Sequence, residues 1–403
     1  MLTRDFLVIG GGIIGLCVAR ELKKKYPNSK IALIEKEKDC GMHASTRNSG
    51  VLHAGFYYTS DSLKAKFTSL GNKLMTEYCE GKTIPVNKCG KLVVAKNEDD
   101  ISIINELLER GKRNGIELKE LSEEGAKKIE PRVRTFKKAI FSPNTSTVDP
   151  ELVVNAIKHD AEKENIEINC NSSYIEKKGN AVVTSQGQYS AAYVINAAGL
   201  YADLIAKDFG FSENYRILPF KGLYLYSNEP IGALKSNIYP VPDLRNPFLG
   251  VHFTVTANKK IKIGPTAVPA LWREQYNLVD NFKFSELIDV VIRELSLFMN
   301  SDFDFKKIAL EEVKKYSRRY LLNLASKLVD NVKEECYTEW GQPGIRAQLV
   351  DIKKRKLEMD FIVEGDENSI HILNAVSPGF TCSIPFARYV CDKIDLFINR
   401  RSI

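Results

Sequence analysis

Three glycines and one acid, spaced to hold a dinucleotide, are the first residues in this chain that could take part in chemistry. Gly10-Gly11-Gly12-Ile13-Ile14-Gly15 reads G-x-G-x-x-G. Gly10 allows a tight turn, Gly12 lets the backbone approach a pyrophosphate, and Gly15 lets a helix pack closely on a sheet. Glu35 follows Gly15 by twenty residues; there a carboxylate accepts hydrogen bonds from a ribose 2′-hydroxyl and disfavours a 2′-phosphate. The elements that must position these residues surround them. An apolar strand, 5–9, runs into the glycines, a helix follows over 16–25, and a second buried strand, 31–34, ends at Glu35. The phosphates would rest on the helix N-terminus. A lone glycine pattern is often only a flexible turn, but strand, glycines, helix, strand and acid in this order mark a dinucleotide site, with Ile13, Ile14 and Lys36 as its neighbours.

Three further stretches have the small residues that a bound ligand demands of a nearby backbone. In the loop over 40–60, Ser45, Thr46, Asn48, Ser49 and Gly50 suit a phosphate-ribityl chain, although a plain surface loop has the same composition. The buried strand 193–197 ends in Ala198 and Gly199, which fit a backbone pressed against the same dinucleotide. Near the C-terminus, Gly344 lies in one glycine turn, and Pro378-Gly379-Phe380-Thr381 precede a final helix whose apolar face is Ile384, Ala387, Cys391, Ile394 and Phe397. The positive N-terminal end of that helix would stabilise negative charge on a ligand ring, such as the charge a reduced flavin bears. An ordinary turn before a helix is the competing reading.

The remaining sequence bounds the answer. The chain has 403 residues, 44% hydrophobic and 27% charged, enough for two or three domains with ample cores. No apolar run is long enough to span a bilayer, and the chain opens on its first strand without a leader. Eight scattered cysteines, without a C-x-x-C pair or metal-like spacing, point to a reducing compartment and no metal. The net charge of +7 suits an anionic substrate or a membrane surface, while lysines interleaved with acids argue against nucleic acid. Helices are expected at 62–80, 99–113, from Ser122, 150–165, 284–300 and 307–328, with Tyr-, Phe- and Thr-bearing strands at 215–226, 248–254 and 260–264. The fold class is α/β, α+β overall: a Rossmann-type nucleotide domain (1–85, 145–214, 335–403) interleaved with a substrate domain (86–144, 215–334) built on a large mixed or antiparallel sheet with helices.

The glycine fingerprint with Glu35, the loop His43-Ala44-Ser45-Thr46-Arg47-Asn48-Ser49-Gly50-Val51-Leu52-His53-Ala54-Gly55, and Pro343-Gly344-Ile345-Arg346 resemble FAD-dependent oxidoreductases of the D-amino-acid-oxidase-like superfamily. A narrower resemblance, to the L-2-hydroxyglutarate dehydrogenase/oxidase family, rests on Gly71-Asn72-Lys73-Leu74-Met75, on Asn87-Lys88-Cys89-Gly90-Lys91-Leu92-Val93-Val94-Ala95, and on Asn237-Ile238-Tyr239-Pro240-Val241-Pro242-Asp243 running on to Pro247-Phe248-Leu249-Gly250-Val251-His252-Phe253-Thr254. It covers nearly the whole chain. Two departures stand out: Lys221 where relatives have arginine, and Thr46 where the loop often has glycine.

The resemblance implies non-covalent FAD and oxidation of the C2 alcohol of a small anionic 2-hydroxy acid, L-2-hydroxyglutarate, to 2-oxoglutarate. A single nucleotide fingerprint argues against a two-nucleotide reductase. Such chemistry needs a hydride acceptor, a base and carboxylate clamps. Of the five histidines, His159 and His371 fall in a helix and a strand, and His43 comes early in the loop. His53 and His252 are therefore the candidate bases. Arg346 matches the superfamily position that binds the carboxylate next to the reacting carbon, and its planar fork suits that task. Lys221, Tyr224 and Thr266 are candidates for the distal carboxylate.

Relatives pass electrons to a membrane quinone or to oxygen. Lys314, Lys315, Arg318 and Arg319 with Tyr316 and Tyr320 compose a basic-aromatic face suited to anionic lipid, or a solvated helix face. The expectation is a cytoplasmic protein that touches the inner face of the membrane through such a surface. The rival readings are an amino-acid or glycerol-3-phosphate oxidising flavoenzyme of the same fold, and a non-enzymatic FAD-binding accessory protein.

Overall fold

Buried β-branched runs and helical stripes assemble into two units woven from alternating stretches of chain. The computed structural model describes residues 1–244, 248–300 and 305–400; Pro247 of the motif above lies outside the described residues. One unit comprises Met1–Arg47, Pro150–Pro219 and the chain from Arg346 onward, and the other Asn48–Asp149 and Phe220–Ile345.

In the first unit the strand Leu2–Ile9 pairs in parallel with Ile31–Ile34 on one side and Gly187–Asn196 on the other. Ser369–Asn374 and Glu167–Asn169 extend this parallel core outward. Leu7, Val8, Ala32 and Leu33 have no exposure, as expected of a parallel sheet covered on both faces. The helix Ile13–Lys25 presents Leu16, Val18, Ala19 and Leu22 inward and packs against the final helix, Gly379–Arg400. A hairpin, Tyr174–Lys178 with Ala181–Thr184, adds to one half of Gly187–Asn196 on the side where Ser369–Asn374 pairs with the other half, and antiparallel Ile362–Gly365 closes that edge beyond Ser369–Asn374.

The second unit holds a mixed eight-stranded sheet in the order Glu339–Trp340, Leu225–Tyr226, Ile261–Gly264, His252–Val255, Asn237–Pro240, Lys91–Val94, Lys138–Ser142, Lys119–Ser122. Only the Asn237–Pro240 and Lys91–Val94 pair is parallel among its pairings. The sequence pattern of 237–243 carries no alternation, because both faces of this strand are buried; the strand is recognisable only once its neighbours are known.

Alternation gives the two faces of this sheet opposite characters. Leu92, Val94, Leu225, Ile238, Phe253, Val255, Ile261 and Ile263 turn to an apolar core shared with Leu321, Leu322 and Ala325. The register places Lys91, Val93, Tyr239, His252, Thr254, Lys262 and Tyr226 on the other face.

Four domain boundaries and one helix differ from the sequence reading. Residues 48–85 group with the second unit instead of closing the nucleotide half, because Val51–Leu52 pairs with Ser146–Thr147 and Ala54, Phe56 and Tyr57 pack on Val93 and Tyr239. Residues 145–149 and 335–345 join that unit too, while 215–219 belong with the first. The helix expected over 307–328 is two, Phe305–Lys314 and Arg318–Ala325, since the Ser317 side chain caps the second by accepting from the Tyr320 N–H.

Candidate active site

The nucleotide cradle of the first unit is built by close backbone approach. Gly10 has φ +111°, and a Cβ on it would stand 2.5 Å from the Ala197 carbonyl oxygen. Two strand ends thus press together, which is the role expected near Ala198. Gly199, at φ +55°, has open space where its Cβ would go and turns the chain into a short helical stretch. Gly12 is the N-cap of the helix Ile13–Lys25, and no side chain of its own satisfies the first N–H groups. Instead the Ile13 N–H donates to Ser45 Oγ at 2.9 Å. That N–H and hydroxyl are the groups a phosphate oxygen would engage at a helix N-terminus. Ile13 is buried and Ile14 half-buried.

Glu35 is buried, and its two carboxylate oxygens accept from the Gly11 N–H at 2.7 Å and the Glu37 N–H at 2.9 Å. The acid is therefore held rigidly beside the glycine turn. Lys36 turns to Glu37 and lies 5.8 Å from the centre of the Tyr201 ring. The Thr46 hydroxyl donates to the Gly41 carbonyl at 2.8 Å and pins the loop. Pro378 and Gly379 are buried at the start of the final helix, with Phe380 half-buried and Thr381 buried in its first turn. Arg346 is half-buried on the strand Gly344–Asp351. The glycine cradle, the fixed Glu35 and the Ser45 hydroxyl at a helix N-terminus together fit an adenine dinucleotide such as FAD.

Asp39, Cys40 and Cys170 bring donor atoms within 4.8 Å of one another, a cluster that cysteine spacing did not reveal. Its groups are already committed. Asp39 is held by Lys158 at 2.7 Å, and burial pushes both thiols up, away from the thiolate a metal needs.

Asn48, Ser49 and Gly50 fall in the second unit. The Asn48 side chain accepts from the Gly50 N–H at 2.8 Å, and Ser49 Oγ accepts from the Val51 N–H at 3.3 Å, so both side chains shape their own loop. His53 follows it, buried, with its carbonyl and that of Leu52 held by the Asn72 amide at 3.2 and 2.8 Å. His252 lies on the polar sheet face, its ring stacked on Tyr239 at 3.6 Å between centroids. Its Nδ1 lies 2.8 Å from the Gly250 carbonyl. That acceptor requires Nδ1 to carry the proton, which in the neutral ring puts the lone pair on Nε2.

Lys221 is buried, and desolvation pulls its pKa down while Asp280 partly restores it. Tyr224 is buried with the Lys262 ammonium 4.4 Å from its ring centre. Thr266 stands apart from these expectations. Its hydroxyl donates to the Lys221 carbonyl and accepts from the Leu223 N–H, both at 3.0 Å, so it fixes the backbone that carries Lys221 and Tyr224. Gly344 is buried, with its carbonyl oxygen 3.7 Å from where a Gly222 Cβ would lie.

Two lysines of this face escaped the sequence reading. Lys262 donates to the Asn48 carbonyl at 3.2 Å, and desolvation lowers its pKa to about 8 against a weaker opposite effect of Asp149. Lys91 is fully buried, and desolvation lowers its pKa to about 7 with no acidic neighbour to offset it. The available signal was a lysine inside a short buried strand, as in Ile261-Lys262-Ile263.

The Lys91 shift has a measurable consequence. In the unfolded chain this amine keeps its proton up to its ordinary value of 10.5, whereas the folded protein releases it near 7. The unfolded state thus binds more protons between those values, and folding stability gains as pH rises through that window. Below pH 7 the full cost is present. Relative to Lys91→Met, the protein should gain up to about 1.4 kcal/mol per pH unit on going from pH 7 to 9, as read by denaturant melts of both. Parallel stability curves for the two proteins would refute a buried, neutralising lysine.

In the 305–325 segment the expected basic face is partly committed to internal pairs, while Lys314, Tyr316 and Arg319 are exposed. Lys315 is buried on Glu312, Lys314 pairs with Glu311 at 2.6 Å, Arg318 donates to the Glu334 carbonyl, and Tyr320 donates to Glu311 at 2.6 Å. An apolar stripe is exposed nearby in sequence: Phe284, Ile288 and Ile292 at helical spacing, preceded by Leu278, Val279 and Phe282. No helix among the described residues is long and apolar enough to cross a membrane.

Comparison with known proteins agrees with this geometry. The family model described as FAD dependent oxidoreductase matches residues 5–393. The chain is 38% identical to the mitochondrial L-2-hydroxyglutarate dehydrogenase of Nematostella vectensis, covering 96% of this chain and 90% of that one. It is 34% identical to the L-2-hydroxyglutarate dehydrogenase of Escherichia coli, over 99% and 94% of the two chains. Among solved structures, an FAD-bound L-alpha-glycerophosphate oxidase from Mycoplasma pneumoniae superposes with a TM-score of 0.78 at 23% identity, covering 98% and 95%. Glycine oxidase from Geobacillus kaustophilus gives 0.72 at 16%, again over 98% and 95%, so the fold is shared across substrates. The chain belongs to the FAD-dependent oxidoreductase family, within the group formed by the L-2-hydroxyglutarate dehydrogenases.

Proposed function

We propose that this protein oxidises the C2 alcohol of L-2-hydroxyglutarate to 2-oxoglutarate with FAD as its cofactor. The observation that carries this reading is a nucleotide cradle in one unit and a buried cationic, histidine-bearing sheet face in the other, in a chain of that family. Bound FAD supplies the acceptor for the hydride that leaves C2. The chain supplies everything else.

Gly10, Gly12, Gly15, Glu35 and Ser45 hold the nucleotide. Arg346 binds the carboxylate beside the reacting carbon through its planar fork. His53 accepts the hydroxyl proton as the carbonyl forms; it has slightly more exposure than His252 and lies on the loop that follows the cradle residues. His252 is the second candidate, favoured by the fixed tautomer that puts its lone pair on Nε2. Lys262 and Lys221 are buried basic side chains of the second unit, which supports recognition of a dianion.

Electrons leave for a quinone or for oxygen. The exposed stripe of Phe284, Ile288 and Ile292 supports seating on a membrane surface from which a lipid-soluble acceptor is reached. The test is anaerobic addition of L-2-hydroxyglutarate to the yellow holoprotein. The oxidised-flavin absorbance should bleach with it and not with the D-isomer, L-lactate or glycerol 3-phosphate, then recover on mixing with vesicles that carry a quinone. Bleaching by a different acid would overturn the substrate, and recovery with air alone would identify oxygen, not a quinone, as the acceptor.

A further inference from the structure

The polar face of the second unit's sheet contains a buried lysine amine that no acidic side chain among the described residues pairs with. Lys91 has no solvent exposure, and its Nζ has no hydrogen-bond partner among them. The rings of Tyr57, Phe56 and Tyr239 stand 4.4, 4.6 and 4.9 Å from it, centroid to nitrogen. The buried Tyr57 hydroxyl is also without a partner, and the hydroxyls of Tyr239 and Thr254 have at most each other. Other buried lysines differ: Lys315 rests on Glu312, Lys262 on the Asn48 carbonyl, and Lys221 lies in the field of Asp280.

Buried polar groups are almost always hydrogen-bonded, so several left open at one place call for an explanation. Ring faces stabilise an ammonium but leave its N–H groups and the phenol hydroxyls without acceptors. A ligand carboxylate answers all of these groups at once, with oxygens that accept from Nζ and from the phenols.

The spacing fits a diacid. Lys91 lies two strands from His252, with Tyr239 on the strand between and its ring stacked on the imidazole. The register also offsets them by two residues along the strands, so their Cα atoms are about 12 Å apart. An extended five-carbon diacid has roughly 5 Å between its end carbons, and a hydrogen bond at each end adds about 3 Å.

We propose that Lys91, with the Tyr57 and Tyr239 hydroxyls, receives the substrate carboxylate remote from the reacting carbon, in place of Lys221 and Thr266. This rests on the reading of the protein as a 2-hydroxydicarboxylate dehydrogenase. Selectivity for a diacid over a monoacid of equal length then resides on the strand Lys91–Val94.

The experiment compares anaerobic flavin reduction by L-2-hydroxyglutarate and by L-2-hydroxypentanoate, which has a methyl group in place of the distal carboxylate. Holoenzymes of the wild type, Lys91→Met and Tyr57→Phe are used. Lys91→Met should raise the half-saturating concentration of the dicarboxylate about ten- to a hundred-fold, leave the monoacid value within about two-fold, and retain FAD. Tyr57→Phe should move the same ratio a few-fold, and keeps the test decisive if Lys91→Met does not fold. Equal losses for both acids, or an unchanged ratio, overturn the assignment. A wild type that the dicarboxylate does not reduce overturns the functional reading itself, whereas a reducible wild type with unaltered selectivity in the variants overturns this assignment alone.

Discussion

Gly15→Ala is expected to yield a protein that does not retain flavin. A Cβ at this position would stand 2.0 Å from the Gly10 carbonyl oxygen and 3.2 Å from its carbon. Neither atom has room to retreat. The Gly10 N–H is bonded to the Ile34 carbonyl at 2.9 Å, and the Ala197 carbonyl presses on Gly10 from the neighbouring strand. The helix Ile13–Lys25 would have to lift from its sheet, taking the Ile13 N–H away from Ser45. Relief of an overlap this deep costs upwards of about 3 kcal/mol, enough to leave the cradle open. The check is the ratio of flavin to protein absorbance after gel filtration, with Gly179→Ala, in the hairpin turn at φ +58°, as control. That control meets open space and bears only a backbone strain of about 1 kcal/mol, so it should keep its flavin. A stoichiometric, yellow Gly15→Ala protein would mean that the cradle does not hold the nucleotide.

The second large effect concerns the base. His53→Gln should lower the anaerobic rate of flavin reduction by about a hundred- to ten-thousand-fold, the range general-base removal covers. It should also abolish the acidic limb of the kcat/KM profile that protonation of the base produces. His252→Gln should act differently. Glutamine loses the stack on Tyr239 and the bond to the Gly250 carbonyl, so substrate affinity falls while the acidic limb persists. If the limb disappears in His252→Gln and survives in His53→Gln, the two roles are exchanged. FAD content and melting temperature of both variants separate these outcomes from misfolding.

Much of the nucleotide unit could be read from the chain because its signals are local. Gly10, Gly12, Gly15 and Glu35 act within one strand-helix-strand segment, and the structure brings them together as their spacing implies. The polar sheet face was less legible. His252 and Tyr224 were visible as residue types, but Lys91 and Lys262 read as ordinary strand residues in a lysine-rich chain. Their character follows from burial by partners far away in sequence, such as the Tyr57 and Tyr239 rings.

Thr266 looked like a ligand group, and its hydroxyl is instead committed to backbone atoms of Lys221 and Leu223. A hydroxyl's partner is set by tertiary placement, which residue type does not encode. The same holds for the division near residue 48. A helix near 62–80 is evident from periodicity, but which unit it joins depends on Asn72 bonding the Asn144 carbonyl and on the pairing of Val51 with Thr147.

The interleaving of the two units bears on how the chain is made. The first strand pairs with Gly187–Asn196, and the first helix packs on Gly379–Arg400. While the ribosome is still adding the second unit, the helix Ile13–Lys25 has none of its final neighbours from the last helix. Such widely separated pairings are slow to form, and apolar surface waiting for them is prone to aggregation. The early nucleotide segment therefore completes its packing only after the last helix has been made.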